Sequence, residues 1–420
     1  MGESGQSYDG RLLRSSENLT SDLRPTTSMR IAYVAPYQGP TVVARRPIVR
    51  NNSLAANVKI ELVAELLKKS GYDVEVISQG EVIENSVKFY QGFREAAPFD
   101  PDIPVEYSST LTARFINVVW SSIATLQRVR ARHQACPFDA MLFYNFKLPQ
   151  MLCANYALRR LGIPVILEYE DDAFVDVNGK SERGFRSRCH LYATRKMLKA
   201  ISGCIGVSPY LLAQVPSSIP KLLLPGMVSS EILEVMKAGE LPRKNWVVFS
   251  GTLYRTKGLE QLIEAWNSSS INDWELHISG DGEMNEMLRE MARGNSSIVF
   301  HGLLDRKEYA RLLCSARIGM NPHDVSATLG NVFAFKIIEY LAAGLHVIST
   351  PMGPLDSQLE AGITYIQDNK AGTIAATLKQ VIESRSYERT AAQAAMQTYG
   401  PEAVSKALNL LVKQVLTQSS

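Results

Sequence analysis

Lys336 and Glu339 stand three residues apart in the stretch from Gly330 to Gly344, which is otherwise largely apolar. Its apolar residues recur at helical spacing, Asn331 is a favourable N-cap residue, and Gly344 is placed to end the helix. Charged residues three apart on a helix share one face. They could form an ordinary surface ion pair, or they could belong to a ligand site.

Two glycine turns upstream could bind an anion. The run WVVFSG ends at Gly251, after which Lys257-Gly258 opens an amphipathic helix, and the run WELHISG leads into the turn Gly280–Gly282. A glycine turn at a helix N-terminus exposes backbone N–H groups and about half a positive charge, and a lysine beside it suits a phosphate. Alone, Lys257 could equally be a solvated lysine, and a Gly-Asp-Gly turn is usually structural.

Acidic and histidine side chains also follow predicted strands. Glu170, Asp171 and Asp172 come directly after the run PVILEY, and His323 follows the run RIGMN. Carboxylates clustered at the end of a strand need partners if they are buried, which favours a site role for them. A single loop histidine could contact a ligand but is more often a bystander.

The elements that position these residues form two series. From Met29 onward, short apolar runs alternate with amphipathic patterns, which is typical of parallel sheets with crossover helices. We predict strands at 30–36, 73–78, 140–145, 164–170, 203–208 and 221–225, and then at 246–251, 274–280, 297–302, 317–322, 346–350 and 364–368. The sequence therefore predicts an α/β protein with doubly wound domains at 29–225 and 243–400, joined by a linker at 226–242.

Composition narrows the class of protein. The chain has 420 residues, 45% of them hydrophobic, and a net charge of +3, so nothing in the charge balance demands nucleic acid. The five cysteines are scattered without a CxxC, which argues against a disulfide framework or a zinc site and fits a reducing compartment. No apolar run or leader pattern predicts a membrane span or secretion. We expect a cytoplasmic protein with a disordered tail at 1–28.

Together these elements resemble the retaining glycosyltransferases of GT-B fold called family 4. The resemblance is sharpest from Val247 to Thr350, where HGLLDRKEYARLLCSARIGMNP and KIIEYLAAGLHVIST are similar to the family's motifs in order and spacing. It implies two Rossmann-like domains facing across a cleft, with the helix at 401–420 packing back on the N-terminal domain. It also implies transfer of a sugar from a nucleoside diphosphate sugar to a hydroxyl acceptor, with retention and without a metal or other cofactor.

The resemblance assigns roles residue by residue. Glu339 would bind the ribose hydroxyls, which suits charge-assisted hydrogen bonds, and Lys257 would neutralise the departing diphosphate. Lys336 would either pair with Glu339 or approach the phosphates. The remaining donor-binding residues would be Gly39, Gly251, Gly280, His323 and, at the start of the helix, Asn331 and Val332. Glu170 and Asp171 stand where many relatives have a His-Asp pair beside the donor sugar.

Two positions depart from the family's pattern. Eight residues before Glu339, where relatives have a glutamate that contacts the transferred sugar, this chain has Asn331. An amide can hydrogen-bond a sugar hydroxyl but carries no charge. Thr252 replaces the usual arginine after Gly251, and Arg255 could replace its charge.

Basic segments bear on the acceptor and on membrane contact. The stretches 114–133 and 179–200 are rich in arginine and lysine beside apolar residues, a pattern that suits an anionic lipid surface or a solvated basic face. Arg45, Arg46 and Arg50 could bind an anionic acceptor or lie in a solvated loop. We expect a glycan or lipid-linked acceptor and contact with the inner face of the membrane, but no nucleic acid partner.

Other functions fit the same pattern. A nucleotide-sugar epimerase would share the donor cleft without an acceptor. A soluble glucan or sucrose type synthase would act on free carbohydrate. A catalytically decayed GT-B scaffold would explain the missing glutamate. The sequence leaves the nucleotide, the sugar, the linkage and the oligomeric state open.

Overall fold

Two open sheets organise the two halves of the chain. The computed structural model describes residues 28–46, 54–80, 87–113, 116–171, 185–239, 241–269, 271–324, 334–352, 355 and 357–418. The strands are β1 (Arg30–Val34), β2 (Asp73–Ser78), β3 (Phe89–Tyr90), β4 (Phe93–Ala96), β5 (Pro104–Tyr107), β6 (Thr110–Leu111), β7 (Ala140–Tyr144), β8 (Val165–Tyr169), β9 (Gly203–Gly206), β10 (Lys221–Leu223), β11 (Trp246–Ser250), β12 (Glu275–Ser279), β13 (Ile298–Gly302), β14 (Ile318–Asn321), β15 (His346–Ser349) and β16 (Ile363–Tyr365).

The helices alternate with these strands along the chain. They are α1 (Pro40–Arg45), α2 (Leu54–Lys69), α3 (Ile116–Ala135), α4 (Leu148–Tyr156), α5 (Phe185–Leu198), α6 (Pro209–Ala213), α7 (Ser230–Ala238), α8 (Leu259–Ser268), α9 (Asn285–Met291), α10 (Arg306–Ser315), α11 (Phe335–Ala342), α12 (Ser357–Glu360), α13 (Ala371–Glu383), α14 (Ala392–Tyr399) and α15 (Pro401–Gln418). A π-helical turn, Ala157–Leu161, continues α4, and a 3₁₀ turn, Arg255–Lys257, precedes α8.

The sheet order gives each half a doubly wound topology. The N-terminal sheet has the order β10-β9-β8-β7-β1-β2-β5-β4, parallel except for β4, and the C-terminal sheet has the all-parallel order β13-β12-β11-β14-β15-β16. The predicted α/β architecture is therefore confirmed, and all twelve predicted strands are present. The sequence analysis missed β3 to β6, because these short strands form antiparallel pairs outside the strand-and-crossover pattern.

Alternate residues of the N-terminal strands face two different helical layers. Ile31 and Tyr33 of β1 point into a core shared with α2 and α15, whereas Ala32 and Val34 point into a core shared with α3, α4 and α5. This period of two, with both faces buried, explains why the parallel strands read as continuous apolar runs.

The halves are joined by packing as well as by the chain. The segment predicted as a linker contains α7, which packs against α10, and α15 packs against α2, β9 and β10. Arg306 at the start of α10 pairs with Glu61 and Glu65 of α2, at 2.5 and 3.0 Å. One hydrophobic core consequently contains residues of both halves.

We expect α15 to be an essential part of this core. Leu408 on α15 is buried, so Leu408→Ala should lower the free energy of unfolding by about 2–5 kcal/mol. The matched control is Leu410→Ala on the same helix, where the side chain is exposed and the change should stay within about 0.5 kcal/mol. Urea denaturation measures both, and equal effects would contradict the packing of α15.

Candidate active site

Two glycine turns meet at the carboxyl ends of β11 and β12. Gly251 and Gly280 have φ angles of +131° and +130°, in a region that L residues with side chains avoid. A Cβ on Gly280 would overlap the carbonyl oxygen of Gly251, and one on Gly282 would lie 2.6 Å from the carbonyl oxygen of Leu253. Glycine at these positions lets the two turns pack backbone to backbone, which leaves the ends of both strands open.

A third close approach places Lys257. Gly258 has φ +72° and lies against the carbonyl group of Pro322, directly after β14, where a Cβ would overlap the oxygen. This contact brings Lys257 Nζ to 2.7 Å from His323 Nε2. Burial and the charges of Lys257 and Lys336 lower the pKa of His323 to about 3, so the neutral imidazole accepts the ammonium hydrogen bond. His323 thus holds Lys257 in place.

Lys336 lies in the first turn of α11. The helix begins at Phe335 with Ala334 at the N-cap position, so the prediction that Asn331 caps it is wrong. Lys336 Nζ lies 3.7 Å from the centroid of the Phe249 ring, while Glu339 contacts Tyr309, so an ion pair between Lys336 and Glu339 is also excluded. The structure thereby removes one of the two roles expected for Lys336.

Glu339 is held by a chain of hydroxyl groups. It is only 6% exposed, and Tyr309 Oη donates to its Oε2 atom at 3.0 Å. Ser250 Oγ lies 3.0 Å from Tyr309 Oη and 2.9 Å from Tyr340 Oη. Burial raises the pKa of Glu339 to about 7, despite the lowering effect of the Tyr309 hydrogen bond. A carboxylate in this state gains from a ligand that donates hydrogen bonds to it.

The two lysines form a concentration of positive charge. Burial is the main cause that lowers the pKa of both, and the charge of Lys257 lowers that of Lys336 further, to well below its ordinary value. Among the described residues, neither ammonium group has a carboxylate within 4 Å. Asp171 in the N-terminal half is the group whose charge raises the pKa of Lys257. The site therefore lies between the two halves and suits an anion.

Asn145 fixes the N-terminal side of the site. It follows β7 with a φ angle of +53°, and its Oδ1 atom accepts from the backbone N–H groups of Glu170 and Asp171 at 2.8 and 3.2 Å. Its Nδ2 atom donates to Asp171 Oδ2 at 3.1 Å. Asn145 therefore determines where the acidic pair after β8 points.

Glu170 belongs to a buried charge cluster. The side chain of Lys59, on α2, bonds to Glu170 and lies 3.6 Å from Glu168, whose second oxygen accepts from Tyr33. Burial raises the pKa of Glu170 to about 8, and the positive charge of Lys59 opposes this rise. Glu170 is thus positioned by the interior of the domain, whereas Asp171 is exposed towards Lys257.

The remaining predicted residues fall into two groups. Gly39 precedes α1 and donates its backbone N–H to Tyr107 Oη at 3.1 Å, so it is packed into the N-terminal half beside the cleft. Thr252 lies in the turn after Gly251, whereas the Arg255 side chain is 71% exposed and lies 3.5 Å from Glu260. Asn331, Val332 and Asp172 fall outside the described residues.

Arg46 is not available for an acceptor. It is buried, and its guanidinium donates to the carbonyl oxygens of Gly80 and Ser108 at 2.7 and 2.8 Å. Arg45 stacks over the ring of Phe93, and Arg50 is not among the described residues. The idea that Arg46 binds an anionic acceptor is therefore wrong.

Four contributors to the site were missed from the sequence. Ser250, Tyr309, Asn145 and Lys59 each hold a predicted residue or its neighbour in place. Asn145 follows a predicted strand and could have been found by the rule that located Glu170. Tyr309 lies within a quoted motif, but its contact with Glu339 needs the fold to be seen.

The described part of the chain has neither a metal-binding cluster nor a membrane-spanning helix. It contains no cluster of three His, Cys, Asp or Glu side chains arranged to hold a metal ion. None of its helices is both long and apolar enough to cross a membrane.

Comparisons with known proteins identify a similar sequence family and similar folds. Residues 244–384 match the family described as "Glycosyl transferases group 1". The fold is similar to sucrose-phosphate synthase from Thermosynechococcus elongatus, with a TM-score of 0.68 and 16% identity over 93% of this chain and 100% of that chain. The fold is also similar to Anabaena HepE in complex with UDP, with a TM-score of 0.61 and 13% identity over 92% of this chain and 100% of that chain. A third similar fold is that of a putative UDP-N-acetylglucosamine 2-epimerase from Listeria monocytogenes, with a TM-score of 0.57 and 12% identity over 94% of this chain and 98% of that chain.

These likenesses establish the fold. The chain has the GT-B fold, with two Rossmann-like parallel-sheet domains, as the sequence analysis predicted. The matched family covers the C-terminal domain, which contains Lys257, Lys336 and Glu339. A comparison with curated proteins finds no significant match to the chain.

The glycine turns provide a direct test of the site's framework. Gly280→Ala should lower the free energy of unfolding by at least about 2 kcal/mol, because it adds both backbone strain and overlap with Gly251. Gly294→Ala is the control, since Gly294 has φ +85° but open space around it and should show only the strain, about 1 kcal/mol. Urea denaturation compares them. Equal losses would mean that the two turns do not pack as described.

The pKa of Glu339 gives a prediction for stability against pH. Its folded-state pKa of about 7 exceeds the ordinary 4.5, so between these values the folded protein keeps a proton that the unfolded chain releases. The stability contributed by Glu339 therefore falls as pH rises through that window. Glu339→Gln should be more stable than the wild type at about pH 8, on the order of 2–3 kcal/mol, and nearly equal to it at about pH 4.5.

The matched control for this pH effect is the exposed Glu264 on α8. Glu264→Gln should change stability equally little at both pH values. Urea denaturation of the three proteins at each pH decides the matter, and a Glu339→Gln effect independent of pH would show that this carboxyl group titrates normally.

Proposed function

We propose that the protein is a glycosyltransferase that takes a sugar from a nucleoside diphosphate sugar bound between its two domains. The observation that carries the proposal is the pair of partly buried lysines, Lys257 and Lys336, without a carboxylate within 4 Å among the described residues. A diphosphate would restore the charge balance that these ammonium groups lack. The match of the C-terminal domain to "Glycosyl transferases group 1" supports the same ligand class.

Glu339 would bind the ribose of the donor. A single carboxylate can accept hydrogen bonds from two vicinal hydroxyl groups, and Tyr309 leaves its other oxygen available for them. This role explains why a carboxyl group is buried with a tyrosine hydroxyl, rather than a cation, as its hydrogen-bond partner. UDP is one candidate nucleotide, because the solved structure of HepE holds UDP.

In the reaction that we propose, the bond between the anomeric carbon and the diphosphate breaks as the acceptor oxygen bonds to that carbon, and the proton of the acceptor hydroxyl passes to the departing diphosphate oxygen. The charge that develops on the diphosphate is then stabilised by Lys257 and Lys336, which His323 and Phe249 hold in place before the reaction. These cations supply charge stabilisation that a metal ion would otherwise provide, which supports a metal-independent reaction. In this single step, retention of configuration, as in family 4, requires the acceptor to attack from the face that the diphosphate leaves.

The N-terminal domain would receive the acceptor. Asp171 lies opposite Lys257, directly after Glu170 and at the edge that Asn145 fixes, where an acceptor hydroxyl would approach the donor sugar. We propose a glycan or lipid-linked acceptor in polysaccharide or glycoconjugate synthesis, and a cytoplasmic protein in contact with an anionic membrane. The basic residues of α3 and α5 support that contact.

Thermal unfolding with UDP, GDP and ADP, and with their sugar conjugates, tests the donor site. One nucleotide family should raise the midpoint by several degrees, since ligand at a hundred times its dissociation constant adds about 2.7 kcal/mol. The rise should persist in EDTA and disappear in Lys257→Ala, Lys336→Met and Glu339→Ala. Lys379→Ala, an exposed lysine on α13, is the control and should keep the full rise.

The outcome separates the proposed reaction from its alternatives. With the matching donor, product should form only when an acceptor is supplied, and the anomeric configuration of the new bond can be read by NMR. Conversion of the donor alone would identify an epimerase instead. No midpoint rise with any nucleotide would contradict the transferase proposal and favour a decayed scaffold.

A further inference from the structure

The first half of the helix α3, up to Thr125, has its apolar and polar faces in reversed positions, whereas Val129 in the second half is buried as usual. Ile116, Val119 and Ile123 are 54%, 53% and 50% exposed, whereas Ser122 and Thr125 are 1% and 0% exposed. A surface helix of a globular protein normally buries its aliphatic residues and exposes its hydroxyl residues. The exposed side of α3 is therefore suited to being covered.

The exposed apolar residues extend onto neighbouring elements. Phe89 of β3, 57% exposed, lies edge-on to Trp120 of α3 with 5.8 Å between the ring centroids. Leu148 and Leu152 of α4, which packs beside α3, are also exposed. We call this surface the α3 face, and its apolar members are Val87, Phe89, Ile116, Val118, Val119, Trp120, Ile123, Leu148 and Leu152. A cluster of this kind marks an interaction site rather than scattered surface apolar residues.

The helical layer that carries the α3 face is purely basic. α3, α4, the π-helical turn and α5 contain nine arginines and lysines and no aspartate or glutamate. Arg128 and Arg132 of α3 pair with Glu106 and Glu75 of the sheet. Others are exposed, namely Arg130, Arg159, Arg160, Arg188, Arg195 and Lys196. Apolar side chains beside exposed cations, with no acid among them, complement an anionic lipid surface.

We propose that the α3 face docks the protein on an anionic lipid membrane, with its apolar side chains inserted at the headgroup boundary. A second copy of the chain is disfavoured as the occupant, because a twofold contact would place two basic, acid-free layers against each other. A partner protein would have to present acidic groups around an apolar centre. An anionic bilayer offers the same combination, with acidic headgroups next to an apolar interior.

The place of the α3 face in the fold adds a consequence for the acceptor. Leu148 comes three residues after Asn145, so their Cα atoms are at most about 11 Å apart. α3 and α4 both begin at the carboxyl edge of the sheet, where Asp171 also lies. Docking therefore brings the acceptor side of the cleft towards the lipid. Resting on the proposed function, we infer that the acceptor is a hydroxyl compound embedded in that membrane.

Vesicle flotation of the full chain tests the docking. The wild type should float with phosphatidylcholine vesicles that contain phosphatidylglycerol, should bind pure phosphatidylcholine weakly, and should be released by salt. Val119→Ser with Ile123→Ser should weaken binding about tenfold. Arg195→Glu with Lys196→Glu should clearly reduce the preference for the anionic lipid, because it replaces two of the exposed cations with acids. All four side chains are exposed, so the fold should be kept.

Leu410→Ser is the matched control, because Leu410 is 59% exposed on α15, in the layer on the opposite face of the sheet. It should bind vesicles as the wild type does. Failure of the wild type to bind anionic vesicles, or equal binding by the Val119 and Ile123 double variant, would overturn the proposal. A concentration-dependent dimer that this double variant loses would instead identify a second copy as the occupant.

The nucleotide-induced rise in unfolding midpoint, measured on the same variants, keeps the two proposals separate. Both double variants should retain the full rise, because their residues lie outside the donor site. Vesicle binding without any rise in the wild type would contradict the proposed function and leave the docking intact. A rise without vesicle binding would contradict only the docking and the membrane-embedded acceptor.

Discussion

The site depends on the positive charge of Lys257 and Lys336. In the described part of the chain, neither lysine has a carboxylate within 4 Å. Lys257 and Lys336 are held by His323 and Phe249, partners that fix their positions without neutralising them. A protein that only needed stability would pair these ammonium groups or replace them, because an uncompensated charge away from water costs free energy. The arrangement suits a bound anion, because the anion would offset the free-energy cost of the two unpaired ammonium groups. Glu339 is a buried group of the opposite charge. Tyr309 donates one hydrogen bond to it, and the carboxylate can accept others from a ligand.

The backbone contacts of the C-terminal domain make this arrangement possible. Gly251 and Gly280 meet without side chains, and Gly258 meets Pro322 in the same way, so three strand ends converge on one small region. Each contact fixes a turn from which a charged or polar side chain projects. The N-terminal domain reaches the same region through Asn145, which fixes Asp171 opposite Lys257. Contacts from α7, α15 and Arg306 hold the two domains together at this junction.

Much of the fold was readable from the sequence because parallel strands buried on both faces leave long apolar runs. The strand ends then pointed to Gly251, Lys257 and Glu170 without reference to a structure, whereas Glu339 was singled out within a predicted helix and took its expected role from the family resemblance. What the sequence could not show was pairing across long separations. The spacing of Lys336 and Glu339 left a local ion pair open as one of two roles, yet Lys336 contacts a ring of β11 and Glu339 contacts a tyrosine of α10. Arg46 read as a loop cation, yet backbone carbonyl groups surround it.

The two faces of the N-terminal sheet have different tasks, and this division limits where a partner can bind. The face covered by α2 and α15 is tied to the C-terminal domain by a shared core and by Arg306, so a partner there would have to separate the domains. Among the described residues, the face covered by α3, α4 and α5 has no such tie, and it carries both the exposed aliphatic residues and the exposed arginines and lysines. Because every strand of the parallel part of the sheet ends at the same edge, a surface bound to that outer face lies next to the cleft. The direction of the strands would therefore couple the proposed membrane contact to delivery of the proposed acceptor.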